Sequence, residues 1–319
     1  MKSIAILLLL AACGNDVRQN AGDDMAPPDA NPNFLPNLTI PPVPANGIQI
    51  ITPIVRGIAP GTDLEMCTWT DHVVTAQTDV RSTTAFQTSP GHHVIVYYTT
   101  VQQPPGTTRE CTDGDMASFR FVAGSASEGQ PSVAPGNLVF RIPQGAQIVI
   151  NHHYLNATDE TLDAQSGVNL DYADVGPTYV PDGSLAFLDT SMTIPPGDAQ
   201  NIDVNCTVNH DYKVWYIAPH MHQWGKHIEL DVTSSGTKTT LVDVDWSSDF
   251  VFNPPTMQFD VTAPMMMHSG DALHLRCTYD NTTGGNLLFG REMCVTYAQF
   301  IDDAGLGGLD CDGGNWGPF

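Results

Sequence analysis

Residues 137–155 read NLVFRIPQGAQIVINHHYL. Two runs rich in Val, Ile, Leu and Phe, 137–142 and 147–154, are separated by Pro143-Gln144-Gly145. The stretch is read as strand, turn, strand. The same signature recurs over 47–54, 92–99, 213–218, 227–232, 239–244, 272–279 and 293–300, each bounded by Gly, Pro, Asp or Ser. No segment keeps a helical period over three turns. Composition agrees: charged residues are 15%, with Gly 28 and Pro 24, a balance suited to strands and turns. A chain of 319 residues has the length of about two domains. The loop 174–183 and Ile194-Pro195-Pro196-Gly197 mark a boundary near 180. The expected fold is all-β, as two antiparallel β-sandwich domains of jelly-roll type. They cover 47–180 and 181–302, with a Gly-rich tail, 303–319, tied only by Cys311.

The ends and the charge set the compartment and the partners. Residues 1–13, MKSIAILLLLAAC, have one basic residue and an apolar run too short to span a bilayer. They read as a lipoprotein signal peptide whose lipobox ends at Cys13, the lipidation site. Gly14 rather than Asp at the next position points to the outer membrane, facing the periplasm or the cell surface. Residues 14–46, rich in Asn, Asp, Pro and Gly, read as a flexible tether. The formal charge of −23 excludes nucleic acid as a natural partner, so the membrane contact expected is the lipid anchor alone. Without Cys13, the seven cysteines leave an even set of six, as expected for three disulfides in an oxidising compartment. The sequons at Asn37, Asn156, Asn205 and Asn281 carry no weight in a bacterial lipoprotein.

The 11 histidines are clustered. His92-His93 and His152-His153 are adjacent pairs, and His220-Met221-His222 is an HxH. An HxH on a strand puts both imidazoles on one face, since side chains alternate. An HH pair reaches one metal only through a bulge or through different ring nitrogens. Imidazole suits copper and zinc, and a thioether selects Cu(I). HExxH, GxSxG and a Walker loop are all absent, which removes the common hydrolase and nucleotide classes. Met265-Met266-Met267-His268 reads as an apolar core or edge run whose methionines split between faces, with a Cu(I) loading site through its thioethers as the alternative. His72, His210, His227 and His274 read as surface or core groups.

Four motifs then occur in order: Gly91-His92-His93-Val94-Ile95-Val96-Tyr97, Ile150-Asn151-His152-His153-Tyr154, His220-Met221-His222-Gln223-Trp224-Gly225-Lys226 and Glu292-Met293-Cys294-Val295-Thr296-Tyr297. Over about residues 55–301 the chain resembles the copper type II, ascorbate-dependent monooxygenases. The resemblance implies two sandwich domains facing a cleft, with one copper ion on each. His92, His93 and His153 would hold the electron-transfer copper. His153 is chosen because the family ligand directly precedes a Tyr, here Tyr154, so His152 should point away. His220, His222 and Met293 would hold the copper at which O2 is activated and an activated C–H of a small organic substrate is hydroxylated. An external reductant such as ascorbate would supply the electrons. Asn151 shares the strand face of His153 and is expected beside its copper. Tyr297 matches a substrate-side tyrosine of the family. Ala218 stands where the peptide-hydroxylating members carry an Arg for the substrate carboxylate, which argues against a peptidyl-glycine substrate. The family also implies Cys277–Cys294 and Cys206–Cys311, leaving Cys67–Cys111 as the third pair. The alternative is a non-catalytic copper-binding or redox lipoprotein on the same scaffold.

Overall fold

The structure, a computed structural model, describes residues 34–318 apart from 90, 117, 126–130, 176–177 and 252–253. The signal peptide, Cys13 and the tether up to residue 33 lie outside the described residues. The chain from Asn33 on forms one compact unit. Among the described residues its regular structure is nearly all β, with one four-residue helix, Asp113–Met116, and one short 3-10 turn, Ser248–Val251.

A five-stranded antiparallel sheet runs in the order Thr107–Glu110, Asp63–Val73, Gln147–Leu155, Gly91–Thr99, Arg120–Ser125. It packs on Gly47–Ile51, Ser166–Tyr172, Thr78–Gln87 and Leu138–Ile142. The core between the two layers holds Val94, Val96, Ile148 and Ile150 from one side and Ile50, Val80, Leu138 and Val168 from the other. A second sandwich stacks Val180–Leu188, Val295–Ile301 and Tyr212–His220 on a four-stranded sheet: Gly197–Thr207, Ala272–Asn281, Gly225–Ser234, Thr237–Asp245. Its core brings together Leu185, Phe187, Ile217 and Phe300 with Val204, Leu230, Leu275 and Tyr279. The inward row of Ala272–Asn281 shows why the sequence folds this way. Leu273, Leu275, Cys277 and Tyr279 are all buried, while the residues between them are not, as a period of two requires.

The sheet path crosses position 180. Val180–Leu188 pairs with Leu138–Ile142 through Val180 and Pro181, and with Val295–Ile301 along its whole length. Trp215 belongs to a second-sandwich strand yet packs in the first core, with its indole N–H on Asp182 at 2.7 Å. A buried Asn-x-Thr plug recurs once in each sandwich. The amide of Asn156 donates to the carbonyls of Ile58 and Glu160, and that of Asn281 to Ile194 and Gly285. Both side chains are enclosed and committed to these bonds.

Several expected boundaries shift. The strand expected over 47–54 stops at Ile51, and a second, Val55–Ile58, follows it. They are split where Thr52 bonds Ser166 and Pro53 offers no N–H. The tail is not tied by Cys311 alone: Gly308–Asp312 pairs in parallel with Ser184–Leu188, and Trp316 stacks on Tyr212 at 6.0 Å. Residues 35–42 lie against the first sandwich, where Leu38 is buried. The Leu35 N–H meets Gln165, and the Pro41 and Pro42 carbonyls accept from Gln49 and Asn169. All three expected disulfides form: Cys206–Cys311 and Cys277–Cys294, which the family pattern implies, and Cys67–Cys111, the pair left over.

Candidate metal centres

The first cluster is made by an irregularity between two central strands. Gln147–Leu155 pairs with Gly91–Thr99 in a register that runs His153 to His93 and then Tyr154 to Gly91. His92 is therefore the extra residue of a β-bulge, and a bulge re-aims a side chain. Both adjacent histidines now face one point. Nδ1 of His92 lies 3.1 Å from Nδ1 of His93 and 3.2 Å from Nδ1 of His153. Among the described residues this is the one group of three or more His, Cys, Asp or Glu whose ligand atoms converge, all within 4.8 Å.

Burial lowers the His93 pKa to about 3, with His153, His92 and His220 adding to the effect, and burial also lowers that of His92. These rings are neutral at neutral pH and carry lone pairs. Asp63 holds Nε2 of His153, which fixes the proton there and leaves Nδ1 as the donor. Three converging imidazole nitrogens, one ring braced by a carboxylate, fit a soft or borderline transition-metal ion such as copper.

Neighbouring residues settle into distinct places. His152 points to the opposite side and is fully buried. Asn151 lies on the His153 face, but its amide donates to Glu65 Oε1 at 2.7 Å and to Cys111 Sγ at 3.2 Å. It thus braces Glu65, the cross-strand partner of His153.

The second cluster departs from a simple HxH strand. Tyr212–His220 ends at the first histidine, and His222 lies in the turn before Gly225–Ser234. Convergence comes from Met221. It is fully buried and packs beneath Gly225, where an added Cβ would stand 2.8 Å from its Cε. With Met221 turned inward, the flanking rings come to 5.0 Å between centroids. His222 Nδ1 donates to the Arg291 carbonyl at 3.1 Å, so its Nε2 is the free donor, the opposite choice from the first cluster. Burial lowers the His220 pKa to about 3, with His222 contributing.

Met293 lies ahead of the strand Val295–Ile301 rather than inside it. The Arg291 and Glu292 N–H groups both bond the Leu288 carbonyl, closing a turn. The buried Glu292 carboxylate then accepts the N–H groups of His222, Trp224 and Met293. The Tyr279 hydroxyl donates to the Met293 carbonyl at 2.9 Å, and Cys294 is bridged to Cys277. Tyr297 stands across from Ala218, its ring 6.4 Å from that of His220. Surrounding protein and then Glu65 push its pKa up to about 12, although 38% of its surface stays accessible. The influence of His220 on His93 and of Glu65 on Tyr297 puts the two clusters in electrostatic reach of each other.

Asp63, Glu292 and Gln87, whose amide touches the His93 and His153 carbonyls, were not among the expected site residues. Only Glu292 carried a sequence signal, through its place beside Met293. Met265–Met267 is a strand on Tyr212–Val214, with Met266 exposed and Met267 buried, so its methionines do split between faces. His72, His227 and His274 sit beside surface carboxylates, and His210 packs edge-on against Tyr212.

Two solved structures show a weak likeness. A peptide-N(4)-(N-acetyl-β-D-glucosaminyl) asparagine amidase is 9% identical over 80% of this chain and 96% of its own, with a TM-score of 0.35. The major capsid protein P2 of bacteriophage PM2 is 10% identical over 80% and 99%, with a TM-score of 0.31. Neither bears on function. No curated protein sequence matches the chain. The stretch that carries His220, His222, Met293 and Tyr297, residues 184–306, matches the family model of the copper type II ascorbate-dependent monooxygenase, C-terminal domain.

Proposed function

We propose that the protein is a two-copper monooxygenase that hydroxylates an activated C–H of a small organic substrate. The observation that carries this reading is the triangle of His92, His93 and His153 nitrogens, in a chain whose residues 184–306 match the C-terminal domain of the copper type II monooxygenases. His92, His93 and His153 hold one copper, and His220, His222 and Met293 the other. Bound copper supplies one-electron redox chemistry and the activation of O2. The overall balance is RH + O2 + two electrons + two protons giving ROH + H2O, with ascorbate or a similar reductant as the electron source.

The chain's own groups set the conditions. Asp63 and the Arg291 carbonyl fix which imidazole nitrogens are free. Met293 favours the reduced ion. Tyr297 keeps its phenol proton at neutral pH and can donate it in a hydrogen bond to substrate. Ala218 offers no charge to a carboxylate, which favours a substrate without one. The disulfides fit an exported chain, and lipidated Cys13 would hold it at the outer membrane.

The test is oxygen uptake by the copper-loaded, reduced protein against a panel of small C–H substrates. Substrate-dependent uptake that Met293→Ile abolishes is the expected result. Copper binding without any substrate-dependent uptake would leave the non-catalytic redox reading in its place.

A further inference from the structure

A buried polar chain runs behind the first cluster. His152 is fully enclosed, between Met66 and Val94 on the neighbouring strands. Its Nε2 meets Thr68 Oγ1 at 2.9 Å, and Thr68 meets Thr108 Oγ1 at 2.9 Å. Its Nδ1 meets the Tyr154 hydroxyl at 2.9 Å, which meets Ser166 Oγ at 2.8 Å. Ser166 accepts the Gln87 amide at 2.9 Å, and the same amide reaches the carbonyls of His93 at 3.3 Å and His153 at 3.4 Å. With the His152 proton on Nε2, every bond points one way. Gln87 donates to Ser166, Ser166 to Tyr154 and Tyr154 to His152. His152 then donates to Thr68.

The chain ends on the bulge itself. A bulge breaks the regular ladder, and the Gln87 amide bonds the backbone on both strands there. Gly91, the residue before the bulge, leaves the space for it. A Cβ on Gly91 would stand 2.4 Å from Gln87 Cβ. Polar groups buried this deeply are costly unless each has its partner, so the chain acts as a unit or not at all.

We propose that His152, Tyr154, Ser166 and Gln87 are positioning residues that hold the His92 bulge in register and so pre-set the three ligand nitrogens before metal arrives. This rests on the reading of His92, His93 and His153 as copper ligands. His152 would then be neither a ligand nor mere packing.

The test uses the mature chain in a His222→Ala background, so that copper reports the first site alone. Affinity is read by chelator competition, the site by the Cu(II) electron paramagnetic resonance spectrum, and folding by thermal melting. Tyr154→Phe keeps the ring and removes the link, and Gln87→Leu removes the clamp. Each should weaken copper binding by about 10- to 100-fold and change the copper hyperfine splitting. The double variant should be no worse than Gln87→Leu alone, because the groups act in series. A lower melting temperature with unchanged affinity and spectrum in both variants would overturn the proposal. If His93→Ala in the same background binds as much copper as its parent, the ligand assignment itself has failed, and the proposal with it.

Discussion

Removing the three disulfides one at a time should separate stability from metal binding, in opposite orders. The bridges close segments of 17, 44 and 105 residues for Cys277–Cys294, Cys67–Cys111 and Cys206–Cys311. The loop-closure entropy lost on cutting them is about 3, 4 and 5 kcal/mol respectively. Paired Cys→Ala replacement of Cys206 and Cys311 should therefore cost the most stability in urea unfolding, and Cys277 with Cys294 the least. Copper should respond the other way. Cys294 adjoins Met293, and Cys277 lies on the strand whose Tyr279 hydroxyl holds the Met293 carbonyl. Cys277→Ala/Cys294→Ala should lose the sulfur contribution to the Cu(I) X-ray absorption spectrum while the all-His site stays filled. Cys206→Ala/Cys311→Ala should keep both ions under native conditions. If the Cys277 pair proves the costliest to stability, or its loss leaves the sulfur signal at full strength, the disulfide does not brace Met293 and the reasoning is wrong.

Three further outcomes follow from particular contacts. Gly91→Ala drives a Cβ to 2.8 Å from Gln87 Cδ and the Thr88 carbonyl. It should destabilise the fold by about 1–3 kcal/mol and lower copper retention at the first site, both read against the parent by melting and metal analysis. Glu292→Gln puts an amide NH2 against backbone N–H donors and should cost about 1–3 kcal/mol in chemical unfolding. A neutral effect would mean that the carboxylate does not join the His222 and Met293 segments. Asp115 has its pKa lowered to about 2, chiefly by its hydrogen bond from Arg109 and then by Thr112. The unfolded value is about 3.9, so the Asp115 carboxylate stabilises the fold above about pH 4 and loses this as pH falls through about 2. The melting difference between the parent and Asp115→Asn should be larger at pH 6 than at pH 2.5. Equal differences would refute the linkage.

Strands whose inward positions are apolar were legible, such as 147–154 and 272–279. Thr78–Gln87 (TDVRSTTAFQ) and Gly197–Thr207 (GDAQNIDVNCT) were not. About half of each sequence is Thr, Ser, Asp or Asn; the first buries Val80, Thr83 and then Ala85-Phe86-Gln87 in a row, and the second only Val204 and Cys206, so no alternation stands out. The parallel pairing of the tail with Val180–Leu188 is a contact between distant segments, invisible to any local pattern. At the first cluster, the adjacency of His92 and His93 left a bulge or different ring nitrogens as the two routes to one metal. The residue that bulges was not legible, since it depends on the register with His153. At the second, an HxH on one strand face was the wrong local picture. The strand stops at His220, and the burial of Met221 brings the rings together. Asp63 was hidden because its strand, Asp63–Val73, was not expected, and Gln87 because a lone glutamine in a polar run carries no signal.

Copper per chain is the most direct measurement of the central claim. The mature protein should bind two copper ions, and His93→Ala and His222→Ala should each bind about one. A parent that binds one or none, or a variant that keeps both, would contradict two independent sites and with them the monooxygenase reading.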